Sequence, residues 1–130
     1  MRLFRIVYYL AAALSILGAL AHEILGAPKV LQPLAETDLP EDVIWLHHFS
    51  WHVGTVAVLG MATLFILAAR RDEARPFGIV ASSMSAGFAA LELGLAQFGD
   101  AALWGTPAPY PWTVVALLGF VGVATTPTKR

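Results

Sequence analysis

A chain of 130 residues has room for a single domain. It is 58% hydrophobic and 13% charged, with a mean hydropathy of +0.69 and a net charge of −1, outside the range of ordinary soluble chains and without the basic stripe a nucleic-acid partner needs. The absence of cysteine excludes disulfides, thiolate metal sites and cysteine nucleophiles.

Four apolar segments follow in order, at about 3–25, 43–69, 77–98 and 109–125. A hydrocarbon core of ~30 Å needs ~20 apolar residues at 1.5 Å rise each. The first three segments meet that length. The fourth does so only if Pro109, Tyr110 and Pro111 open its helix at the interface, where proline is tolerated in a first turn. The segments predict an all-α fold, a four-helix transmembrane bundle running up-down-up-down, with the lipid bilayer as its main partner.

Charge sets the orientation. Arg2 and Arg5 precede the first segment, Arg70, Arg71 and Arg75 lie between the second and third, and Lys129 and Arg130 follow the fourth. Only Lys29 falls on the opposite side. Lysine and arginine prefer the cytoplasmic ends of short loops, so both termini are expected in the cytoplasm of a multi-pass inner (plasma) membrane protein. The two outer loops carry Glu36, Asp38, Glu41, Asp42 and Asp100, which either follow the same rule or raise the local cation concentration. Arg2, Arg5, the apolar run and Ala19-Leu20-Ala21 also resemble a secretory leader cut after Ala21. The run is at the upper limit for a leader core and continues past that point, so an anchored helix is preferred.

Ionisable groups inside membrane segments are costly, at least ~2.5 kcal/mol near a helix centre, and read as functional by default. His22 and Glu23 lie in the first segment, His47, His48 and His52 in the second, and Glu92 in the third. Counted from the outer ends of their helices, His22 falls at about 6 Å, His48 at about 7 Å, Glu92 at about 10 Å and His52 at about 13 Å. Three segments thus contribute to one outer layer. His48 and His52, spaced i, i+4, share a helix face, whereas His47 is turned about 100° away. Ser15, Gly18 and His22 form one stripe at helical spacing, and Ala81, Ser85, Ala89, Glu92 and Ala96 another. Small residues mark faces buried in membrane bundles, so His22 and Glu92 are expected to look inward.

Imidazole with carboxylate suits zinc, copper(II) or iron, and the expected metal ligands are His22, His48, His52 and Glu92, with Glu23 orienting a histidine. Haem between facing helices is a second option that needs the helices to splay. Met61 and Met84 are not placed for a thioether site. The plainer interpretation of each residue alone is an interfacial anchor, most simply for His47 beside Trp45 and Trp51, or an interhelical hydrogen bond. Two other classes therefore stay open: an accessory subunit of a membrane complex, and a proton-coupled carrier. The carrier is weakened by the lack of comparable polar groups in the inner half, since only Ser82, Ser83 and Ser85 are expected mid-membrane.

His22-Glu23-Ile24-Leu25-Gly26 begins like the zinc-protease helix H-E-x-x-H but has glycine where the second histidine belongs. Ser50 lies among histidines without a G-x-S-x-G turn, so a serine hydrolase has no support. Ser82, Ala86, Ala90 and Gly94 repeat every four residues, a packing ridge within the chain or towards another copy or a membrane-complex partner. Trp104, Tyr110 and Trp112 suit the outer interface, and Phe4, Tyr8 and Tyr9 the inner one.

His22 to Gly26 closing the first helix, then Pro33-Leu34, then Trp51-His52, resembles an uncharacterised group of small bacterial four-helix membrane proteins over about the first half of the chain. The resemblance implies the same helix count and a recurrent pair, His22 and His52. It implies no activity.

Overall fold

The computed structural model describes residues 2–71 and 75–127. Lys129 and Arg130, counted in the charge bias, lie outside the described residues. Among the described residues the fold is helical throughout: α1 (Leu3–Ala21), α2 (Ala27–Ala35), α3 (Glu41–Arg70), α4 (Arg75–Gly94) and α5 (Pro111–Thr125).

Three helical runs, Leu3–Ala35, Glu41–Arg70 and Arg75–Gly99, are long and apolar enough to cross a membrane. Helix α5 has 15 residues, about 22 Å at 1.5 Å per residue. The first run outlasts its expected end near residue 25. A π-helical turn, His22–Gly26, joins α1 to α2, with the Ala27 N–H bonded to the His22 carbonyl five residues back. Pro28 explains the widened turn: its ring offers no N–H and would crowd the carbonyl four residues earlier in a regular helix. A second π-helical turn, Leu95–Gly99, ends the α4 run and closes with the Asp100 N–H on the Leu95 carbonyl.

Helix α1 packs on α3 and α5, and α4 packs on the same two, so each pair of neighbours encloses one core. Its large members are Phe4, Tyr8, Met61, Phe65 and Val115. Phe4 and Tyr8 are wholly buried and not part of an interfacial belt. Tyr8 tolerates burial because its hydroxyl meets Thr126 Oγ1 at 3.4 Å. Thr126 spends its own proton on the Gly122 carbonyl, so Tyr8 is the donor. Ser15, Ser82 and Ser85 are also fully buried and satisfy their hydroxyls on carbonyls one turn back, while Ser85 also reaches Met61 Sδ at 2.9 Å.

Glycines on α4 and α5 make room for the Tyr8 ring. A Cβ at Gly78 would lie 2.6 Å from Tyr8 Cζ, and one at Gly122 2.7 Å from Tyr8 Cδ1. With the Phe65 ring of α3 6.1 Å from that of Tyr8, these contacts bring the start of α1, the end of α3, the start of α4 and the end of α5 together. Arg5, Arg70, Arg71 and Arg75 therefore share one end of the fold. Gly78→Ala gains helix propensity but forces Tyr8 aside. Overpacking outweighs the gain, so thermal unfolding in detergent should show a net loss of about 1–2 kcal/mol. The ridge from Ser82 to Gly94 is divided: Ser82 is consumed against Gly119 of α5, whereas Ala90 is exposed.

Candidate functional site

The polar residues of the first three runs gather at the end of the fold opposite Tyr8, beside the two π-helical turns. His22 opens the first turn, and its ring stacks on Trp51 of α3 with centroids 3.8 Å apart and planes 10° from parallel. Its Nε2 lies 3.3 Å from the Trp51 carbonyl. A carbonyl only accepts, so Nε2 is the donor. Gly26 makes the stack possible, because a Cβ there would sit 3.0 Å from Trp51 Cζ2.

One residue on, Glu23 also reaches α3. Its Oε1 accepts from His52 Nδ1 at 3.2 Å and from the Thr55 hydroxyl. His52 is otherwise open, with 56% of its side chain exposed. Thr55 lies three residues after His52, hence on the same helix face.

On α4, Glu92 is half-buried and accepts at Oε1 from Trp112 Nε1, 3.1 Å away on the first turn of α5. Its Oε2 is buried without a partner among the described residues. Pro111 starts α5, and Gly18 of α1 admits the indole: a Cβ at Gly18 would lie 3.6 Å from Trp112 Cη2. Trp112 also stands against Phe88, with ring centroids 5.5 Å apart.

Between these groups lies a cavity of about 230 Å³. His22, Thr55, Glu92 and Trp112 give it polar atoms, while Gly18, Gly54, Val58, Phe88 and other apolar residues form the rest of its wall. All four principal helices contribute. A Cβ at Gly54 would meet nothing within 4 Å, so the wall is recessed there.

Of the four expected ligands, the structure brings His22 and Glu92 to this one cavity. His52 lies next to it, held on Glu23, with Thr55 bridging the carboxylate and the cavity wall. His48 is apart: its ring tilts against Trp45, 5.2 Å away on the same helix, and does not join His52. An i, i+4 spacing gives two residues a common face, but neighbours decide where each ring turns. Here Trp45 holds one and Glu23 the other. His47 bonds the Val43 carbonyl of its own helix at 2.8 Å. Among the described residues, no three histidine, aspartate or glutamate side chains are grouped to hold one ion.

Sequence reasoning missed the parts of Trp51, Trp112 and Thr55. Signals were present for two of them. Gly26 falls where the first helix has a histidine one turn earlier, a gap suited to a large ring, and Thr55 shares the His52 face. Trp112 resembled an ordinary interfacial indole. Compared with protein-family models, with curated proteins and with solved structures, the chain finds no match.

Proposed function

We propose that this chain is a membrane-embedded binding protein that holds a compact metal centre in the cavity between its helices, through His22 and Glu92. The observation that carries this reading is the meeting of these two residues, seventy positions apart in sequence, on one largely apolar cavity. An imidazole, whose Nδ1 can coordinate in its neutral form, and a carboxylate oxygen without a partner among the described residues are both suitable donors for zinc, copper(II) or iron(II). Two protein ligands leave positions for water or a small molecule. At about 230 Å³ the cavity is below the ~300 Å³ of drug-sized ligand sites, which disfavours haem. His52 and Glu23 belong to the rim, where Glu23 orients the histidine.

The bilayer placement rests on the three long apolar runs and on apolar side chains turned outward, such as Phe49, Val56 and Phe98, the last 90% exposed. The helices then run up-down-up-down. The arginine end is cytoplasmic, in an inner (plasma) membrane, and the cavity lies in the outer half.

A second reading has its own support. His22, His52 and Glu92 each bond to a different helix, as interhelical ties of an accessory subunit do. Metal titration of the detergent-purified protein separates the two. Zinc, copper(II) or iron(II) should bind at one site, weakened by more than about a hundredfold in His22→Ala and Glu92→Gln, beyond what loss of an orienting group costs. His48→Ala should bind like the wild type. If no metal binds, and His22→Ala lowers only stability, the accessory reading replaces this one.

A further inference from the structure

A second concavity lies near the arginine end, far along α1 and α3 from His22. It is a groove of about 440 Å³ lined by Tyr9, Ala12, Ala13 and Ile16 of α1 and by Ile66 and Arg70 of α3. Its floor is apolar, and the small side chains of Ala12 and Ala13 leave it open along the helix. From Tyr9 to Ile16 it runs about 10 Å along the helix. Arg70 stands at its mouth, on the last residue of α3. Tyr9, 39% exposed, offers a hydroxyl beside it.

We propose that this groove is a binding site for an anionic phospholipid, one acyl chain lying on Ala12, Ala13, Ile16 and Ile66 and the phosphate meeting Arg70. The occupant follows from charge complementarity and shape together. An apolar channel parallel to the helices takes a chain and not a globular partner. A guanidinium at the level where the apolar run ends meets a phosphate with paired N–H donors. Arg71 follows directly and Arg75 opens α4 at the same end of the fold, so that with Asp72 and Glu73 between them the stretch 70–75 keeps a net charge of +1 where anionic headgroups collect. The inference rests on the bilayer placement proposed above but is independent of the metal centre.

The test reconstitutes the full chain into nanodiscs of phosphatidylglycerol and phosphatidylcholine in equal parts. Lipids that stay bound on release into mild detergent are then counted by native mass spectrometry. Wild type should retain phosphatidylglycerol in preference by roughly fivefold, the worth of one basic contact near the surface. Arg70→Gln should lose that preference and Arg70→Lys should keep part of it. Arg71→Gln, outside the groove, should keep nearly all. Ala13→Phe, which fills the floor, should lower retention of both lipids. Equal retention by wild type, or an unchanged preference in Arg70→Gln, would overturn the assignment. A chain that stays outside the nanodiscs would sink the bilayer placement and the groove with it, whereas insertion without headgroup preference would sink the groove alone.

Discussion

Trp51→Ala should destabilise the protein by about 3 kcal/mol, the lower end of the range for truncating a large packed aromatic. Trp51 is half-buried and not fully enclosed, which sets the lower end. Its indole fills the space that Gly26 leaves open and stacks flat on the His22 ring. In lipid, association of helices depends on close packing and on hydrogen bonds between them, since apolar burial alone drives little. Removing the indole opens a void between the π-helical turn and α3. The carbonyl of residue 51 remains as a hydrogen-bond acceptor, but the ring that fixes the His22 plane does not. Trp51→Phe keeps a stacking face and should recover most of the loss. Thermal unfolding of both variants in one mild detergent measures the difference. A loss below about 1 kcal/mol for Trp51→Ala would show that the stack is incidental, since that is the scale of an aromatic pair beyond its packing.

Gly54→Leu should separate binding from stability. Glycine within a helix costs about 1 kcal/mol relative to a good helix former, and the long helix α3 carries this cost at its cavity wall. A Cβ there meets nothing within 4 Å, so the larger side chain has room. The room available is the cavity itself. The variant is expected to unfold about 1 kcal/mol later than wild type and to bind no metal at all. A structural accessory chain would gain the stability and lose nothing, because no function would depend on the open space. Thermal unfolding and metal titration on the same preparation give both numbers. Retained binding in a more stable Gly54→Leu would place the ligand outside the cavity.

The helices were legible because hydropathy and length are enough to find them. Their inward faces were legible where small residues repeat: Ser15, Ala81, Ser85, Ala89 and Ala96 are all buried. The continuation of the first run to Ala35 was not legible. Gly26 two residues before Pro28 reads as a helix end, whereas the backbone passes through it in a π-helical turn. The directions of His48 and His52 were hidden for a related reason. Periodicity assigns a face, whereas Trp45 and Glu23, one local and one on another helix, choose the rotamers. Tyr8 was misplaced as an interfacial ring because its enclosure is built by Gly78 and Gly122, which lie in two distant helices.

The proposed centre would account for His22 and Glu92 lying among apolar helices on one cavity. Trp112 satisfies one oxygen of Glu92 and leaves the other without a partner among the described residues, an arrangement that costs about 1–3 kcal/mol if nothing fills it. Under the proposed reading, a bound cation would remove that cost.

The most direct measurement is a double-mutant cycle on metal affinity with His22→Ala, Glu92→Gln and the pair combined. If both residues hold the same ion, the double variant should bind no more weakly than the worse single variant, since either change already dismantles the site. Losses that simply add, or single variants that bind as wild type does, would contradict a shared centre.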